Sequence, residues 1–169
     1  MRPRALFALT AVAASAAACA TVQPPSPAAE PSAGAAAPAP VEGRDWFHHA
    51  DADAGRLVYG AAESDDLKLG FECRRGSGRL EVLSLAPKGA KAEIVLESGG
   101  ETARLPARSE PSQLDDGVLL TAGSATAAPV LQRFRRLGWV ALWRDGDREA
   151  YAPHPGSAAD IERFFAFCG

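Results

Sequence analysis

The chain has 169 residues, with 18 basic and 21 acidic side chains and a formal net charge of −3. That length allows one modest domain with a real hydrophobic core. The mildly acidic balance excludes charge-driven binding to nucleic acid, and no apolar run is long enough to be read as a membrane-spanning helix.

Residues 1–18 have the parts of an export signal. Arg2 and Arg4 come first, then an apolar run from Ala5, then small residues. An ordinary cleaved signal would end at Ala16-Ala17-Ala18 or Ala18-Cys19-Ala20. Ala16-Ala17-Ala18-Cys19 also resembles the lipobox of bacterial lipoprotein precursors, although Ala16 replaces the large aliphatic residue usual there. The resemblance implies that Cys19 becomes a lipidated N-terminus. Ala20 after it, rather than Asp, implies sorting to the outer membrane, facing the periplasm. Without lipidation, the expected location is the periplasm or the medium.

The segment 19–43 is read as the lipidated cysteine followed by a disordered linker. Its six prolines, set among alanines, leave too little large apolar surface to fold. In polyproline form it would reach on the order of 70 Å. Residues 44–169 form the globular domain.

About eight short strands are expected in that domain, taken in order. They are Arg56–Gly60, Leu67–Cys73, Arg79–Leu85, Ala92–Glu97, Glu101–Leu105, Val118–Ala122, Trp139–Trp143 and Arg148–Ala152. Leu67–Cys73 is the clearest, because Leu67, Leu69, Phe71 and Cys73 alternate with Lys68, Gly70 and Glu72. Pro106–Pro111 reads as irregular, and Gly123-Ser124-Ala125 as a turn.

Two helices come late. The first opens at Pro129, buries Val130, Leu131, Phe134 and Leu137, and stops at Gly138. The second runs from Ser157 to Cys168 with a stripe of Ile161, Phe164, Phe165 and Cys168. Ser157 and Asp160 have capping-box spacing. The fold class is therefore mainly β, a β-rich α+β domain. Its form is an antiparallel sandwich or flattened barrel with helices on a face or end. In outline the domain resembles small secreted bacterial β-proteins of unassigned function.

Three cysteines leave one odd. If Cys19 carries lipid, Cys73 and Cys168 remain as a pair for an oxidising compartment. No C-x-x-C spacing supports a zinc or thioredoxin-type site.

His48-His49-x-Asp51-x-Asp53 is the only dense group of candidate metal ligands. Adjacent strand residues face opposite ways, so one histidine at most could join Asp51 or Asp53, with His154 a distant third. No G-x-S-x-G is present, and Glu63, Asp65 and Asp66 read as a solvated acidic turn. Arg133 and Arg136, beside Trp139 and Trp143, form a candidate partner surface. The arginines suit an anionic group, and the indoles suit a sugar or a protein.

The expected function is a membrane-tethered binding or structural module with a protein or cell-wall partner. This reading has no catalytic residue, metal or cofactor. The alternative is a metal-assisted hydrolase using His48 or His49.

Overall fold

The computed structural model describes residues 37–169, so the export signal, Cys19 and most of the linker lie outside the described residues. The described residues form ten strands and two helices. The strands are β1 (Asp45–Ala50), β2 (Ala54–Gly60), β3 (Leu67–Arg74), β4 (Arg79–Ala86), β5 (Glu93–Ser98), β6 (Glu101–Pro106), β7 (Arg108–Pro111), β8 (Val118–Ala125), β9 (Val140–Arg144) and β10 (Asp147–Tyr151). The helices are α1 (Pro129–Leu137) and α2 (Ala158–Cys168). None of the described helices is long and apolar enough to cross a membrane.

Two antiparallel sheets result, and they do not close into a barrel. The larger has the order β1-β2-β3-β4-β8-β7 and the smaller β10-β9-β5-β6. The first four strands form a meander. The chain then crosses to the second sheet for β5 and β6 and returns for β7 and β8. Two-residue turns at Gly99-Gly100 and Asp145-Gly146 close hairpins, and all four residues have positive φ. That is the backbone twist that matches a right-handed strand pair.

Alternation along the strands puts one face of each sheet into a shared core. Leu57, Leu69, Phe71 and Val82 come from the larger sheet, and Ile94, Leu96, Val140 and Leu142 from the smaller. α1 packs on β5 and β6, and α2 on β1 and β2, so both helices contribute to the same core. Aromatic rings dominate it. Trp46 lies 5.0 Å from Phe134 and 5.2 Å from Tyr59 between centroids, and Phe134 lies 5.8 Å from Phe165. Such pairs contribute about 0.5–1.5 kcal/mol each beyond their buried area.

α2 is fastened at its end. Cys168 is bonded to Cys73 of β3, with Cα atoms 5.8 Å apart and 95 positions of chain between them. The adjacent β3–β4 turn completes the join: the Gly76 N–H donates to the Phe167 carbonyl, and the Gly78 N–H to that of Cys168.

Several expectations need correction. The described residues have ten strands, two more than the roughly eight expected. β1 pairs with β2 over its full length, and β7 is an exposed edge strand against β8. β8 runs on through Gly123-Ser124-Ala125, which is not a turn. Leu137 is 42% exposed, with its side chain lying over Gly99 of the β5–β6 turn. Ser157 precedes α2 but does not cap it with its side chain. Its hydroxyl instead donates to the Asp45 carboxylate, and the Asp160 carboxylate pairs with Arg163. Val41, assigned to the linker, is tied to the domain: its carbonyl lies 3.1 Å from Nε2 of His154.

Candidate functional site

The tryptophan pair sits on the outer face of the smaller sheet. Val140 and Leu142 of β9 enter the core, so Ala141 and Trp143 point the other way. Trp139, just before the strand, is buried against Ala141 and Ala152, and the Arg148 guanidinium lies 5.4 Å from its ring centroid. Trp143 is 37% exposed. The structure thus divides the pair: one indole is a packing residue and the other meets solvent.

Strand register sets the neighbours of Trp143. Val95 of β5 and Arg148 of β10 lie opposite it, and Arg104 of β6 lies opposite Val95. Glu93 and Glu97 flank Val95 on the same face. Arg104 Nη1 lies 2.5 Å from Glu93 Oε1, and Arg148 Nε lies 2.6 Å from Glu97 Oε2. The Arg104 guanidinium holds the Glu93 carboxyl below its usual range, mainly by hydrogen bonding. The result is a short apolar strip, Trp143 and Val95, between two ordered ion pairs. Sequence spacing revealed Trp143 but not this setting, because its six contributors come from four strands.

Arg133 and Arg136, the other candidates for a partner surface, lie on α1. Arg133 reaches toward Glu101 at 3.9 Å, at the start of β6. Arg136 is exposed on α1. Arg135 between them is paired with Glu162 of α2, so it links the helices. Arg144 turns inward and donates to the Leu85 carbonyl at 2.7 Å, joining the two sheets.

The histidines separate as strand geometry requires. His49 is exposed on the outer face of the larger sheet, beside Arg56, Glu72 and Arg79 in a broad depression. His48 turns toward α2, with Phe164 at 6.1 Å and Phe167 at 6.5 Å between centroids. Its Nε2 is buried without a hydrogen-bond partner. Burial lowers its pKa first; Asp160 opposes that, while Arg163 and His49 add to it.

The carboxylates nearby are occupied by the backbone. Oδ1 of Asp51 accepts from the Ala54 N–H at 2.8 Å and the Asp53 N–H at 2.9 Å, shaping the β1–β2 turn. Those bonds hold the Asp51 carboxyl below its ordinary range. His154 is at the other end of β1, its N–H donating to Asp45. Asp66 of the acidic turn binds Lys68 at 2.7 Å and Arg44 at 3.0 Å. Among the described residues, no three His, Cys, Asp or Glu side chains gather as a metal site.

Asp45 is a residue that sequence reading passed over. One of its oxygens accepts from the backbone of Trp46 and His154 and from the Ser157 hydroxyl. It ties the start of β1 to the start of α2. Its only sequence signal was an acidic residue before an aromatic run.

Comparison with protein-family models, with curated proteins and with solved structures finds no match to this chain.

Proposed function

We propose that this chain is an envelope lipoprotein whose β-sandwich is a non-enzymatic binding module, held to the outer membrane by lipid on Cys19. The sulfur arithmetic carries the reading. Cys73 and Cys168 are bonded to each other, a pairing suited to an oxidising compartment. The third cysteine follows Ala16-Ala17-Ala18 behind a basic and apolar N-terminus, which is where a lipidated cysteine belongs. A single acyl chain anchors weakly, so a stable tether needs the several chains of the bacterial modification. The proline-rich linker then gives the domain reach from the membrane.

The binding role rests on the exposed indole and its ordered polar neighbours. The hydrolase reading gains no support from the setting of its histidines: His48 and His49 face opposite ways, and Asp51 is engaged by its own turn.

Expression of the precursor with Cys19→Ser in a Gram-negative host, followed by membrane fractionation, tests the tether. The wild-type chain should sediment with outer membranes and the variant should be soluble. A Cys19→Ser chain that stays in the membrane fraction sinks the proposal.

A further inference from the structure

We infer that the outer face of the four-stranded sheet is a platform for an uncharged pyranose oligosaccharide, with Trp143 as the stacking ring. The inference deepens the reading of the chain as a binding module and names the chemistry of its ligand.

Three features of this face point to a sugar. The first is the shape of its apolar part. Arg148, Trp143, Val95 and Arg104 stand in one cross-strand row on β10, β9, β5 and β6. At about 4.8 Å between strands, that row spans roughly 14 Å. Its apolar centre is one indole and one valine. That is far less than the area of about 1,000 Å² that a stable protein partner needs to bury. It suits the flat C–H face of a sugar ring.

The second feature is the rim. Arg104–Glu93 lies on one side of the apolar strip and Arg148–Glu97 on the other. Each pair offers guanidinium donors and carboxylate acceptors side by side. Vicinal hydroxyls both donate and accept, so they can use both halves of a pair.

The third feature is charge. The groove is lined by Lys91, Arg104 and Arg144 against Glu93, Glu97 and Asp145, with Arg148 beside it opposite Trp143, so its charges nearly cancel. A surface this close to neutral has little field to recruit a polyanion. Trp139 lies beneath Arg148 and Glu97 holds its Nε, so the guanidinium is fixed before a ligand arrives. Such preorganisation reduces the ordering cost of binding.

The test is calorimetric titration of the purified full chain with cellohexaose, chitohexaose and mannohexaose, with heparin as the anionic comparison. At least one neutral hexasaccharide should bind saturably, and heparin should not. Trp143→Ala should weaken that binding at least about tenfold with an unchanged melting temperature. In the wild-type chain, the Trp143 indole N–H resonance should shift on titration while those of Trp46 and Trp139 stay in place. This second readout needs no variant. Absence of binding to all three sugars overturns the inference, as does binding that survives Trp143→Ala or tighter binding of heparin. So does a photo-crosslinker at position 143 that captures a polypeptide in cells while none of the sugars binds. The titration does not depend on lipid, so its failure is distinct from failure of the Cys19 tether.

Discussion

Protonating the ring of His48 would place a charge between two phenylalanines. Its Nε2 has no partner to share that charge. Burial therefore lowers the folded-state pKa below the ordinary value of 6.5. The unfolded chain then binds a proton more readily than the folded one, so this group costs stability as pH falls. The loss begins as pH drops through the unfolded value, and it levels off below the folded one. His48→Phe should flatten the decline in urea midpoint between pH 7.5 and 5. Equal slopes in the wild-type and His48→Phe proteins would remove His48 as the cause. At this scale the sequence was informative about direction. Two adjacent strand residues must face apart, and they do. What spacing could not supply was the identity of the rings that receive His48, because Phe164 and Phe167 lie more than a hundred residues away. Asp45 was missed for the same reason: its partners are at His154 and Ser157.

At the level of single elements, α2 was the most readable and also the most dependent on its surroundings. A stripe at i, i+3, i+4 and i+7 needs no knowledge of the rest of the chain, and Ile161, Phe164, Phe165 and Cys168 are all buried. The end of the helix is held by the bridge to β3, by the backbone of the β3–β4 turn and by Phe167. The Phe167 ring lies against Gly55, where an added Cβ would come within 2.8 Å of it. Arg75 stacks on that ring at 4.1 Å and also binds the carbonyls of Asp51 and Ala52. Removing the bridge with Cys73→Ser and Cys168→Ser together should cost about 2–5 kcal/mol, seen as a lower thermal midpoint. Amide exchange should quicken first at Phe167 and Cys168. A midpoint unchanged by the double substitution would mean that the loop closure adds nothing. β1 and β7 were the elements that escaped the sequence. β1 mixes Trp46 with two histidines, so its alternation is concealed. β7 is charged and flanked by prolines, a composition that suits an edge strand and resembles a loop.

At the scale of the whole domain, the described residues form two open sheets with both helices built into one core. Its class followed from the number and spacing of short strands. Its topology did not, because the crossings from β4 to β5, from β6 to β7 and through α1 to β9 are decided by which faces match in three dimensions. The same limit applied to the candidate site. Trp143 stood out in the sequence, but the strip and ion pairs around it exist only once β5, β6, β9 and β10 are aligned.

The bridge uses two of the three cysteines, and the proposed lipid tether uses the third. Intact mass measurement of the chain isolated from host membranes, with iodoacetamide added before and after reduction, reads all three at once. The predicted result is a chain beginning at Cys19 with the mass of attached acyl groups. It should take up no label before reduction and two labels after it. A chain that begins elsewhere without lipid, or one that labels at Cys73 or Cys168 before reduction, would contradict the account.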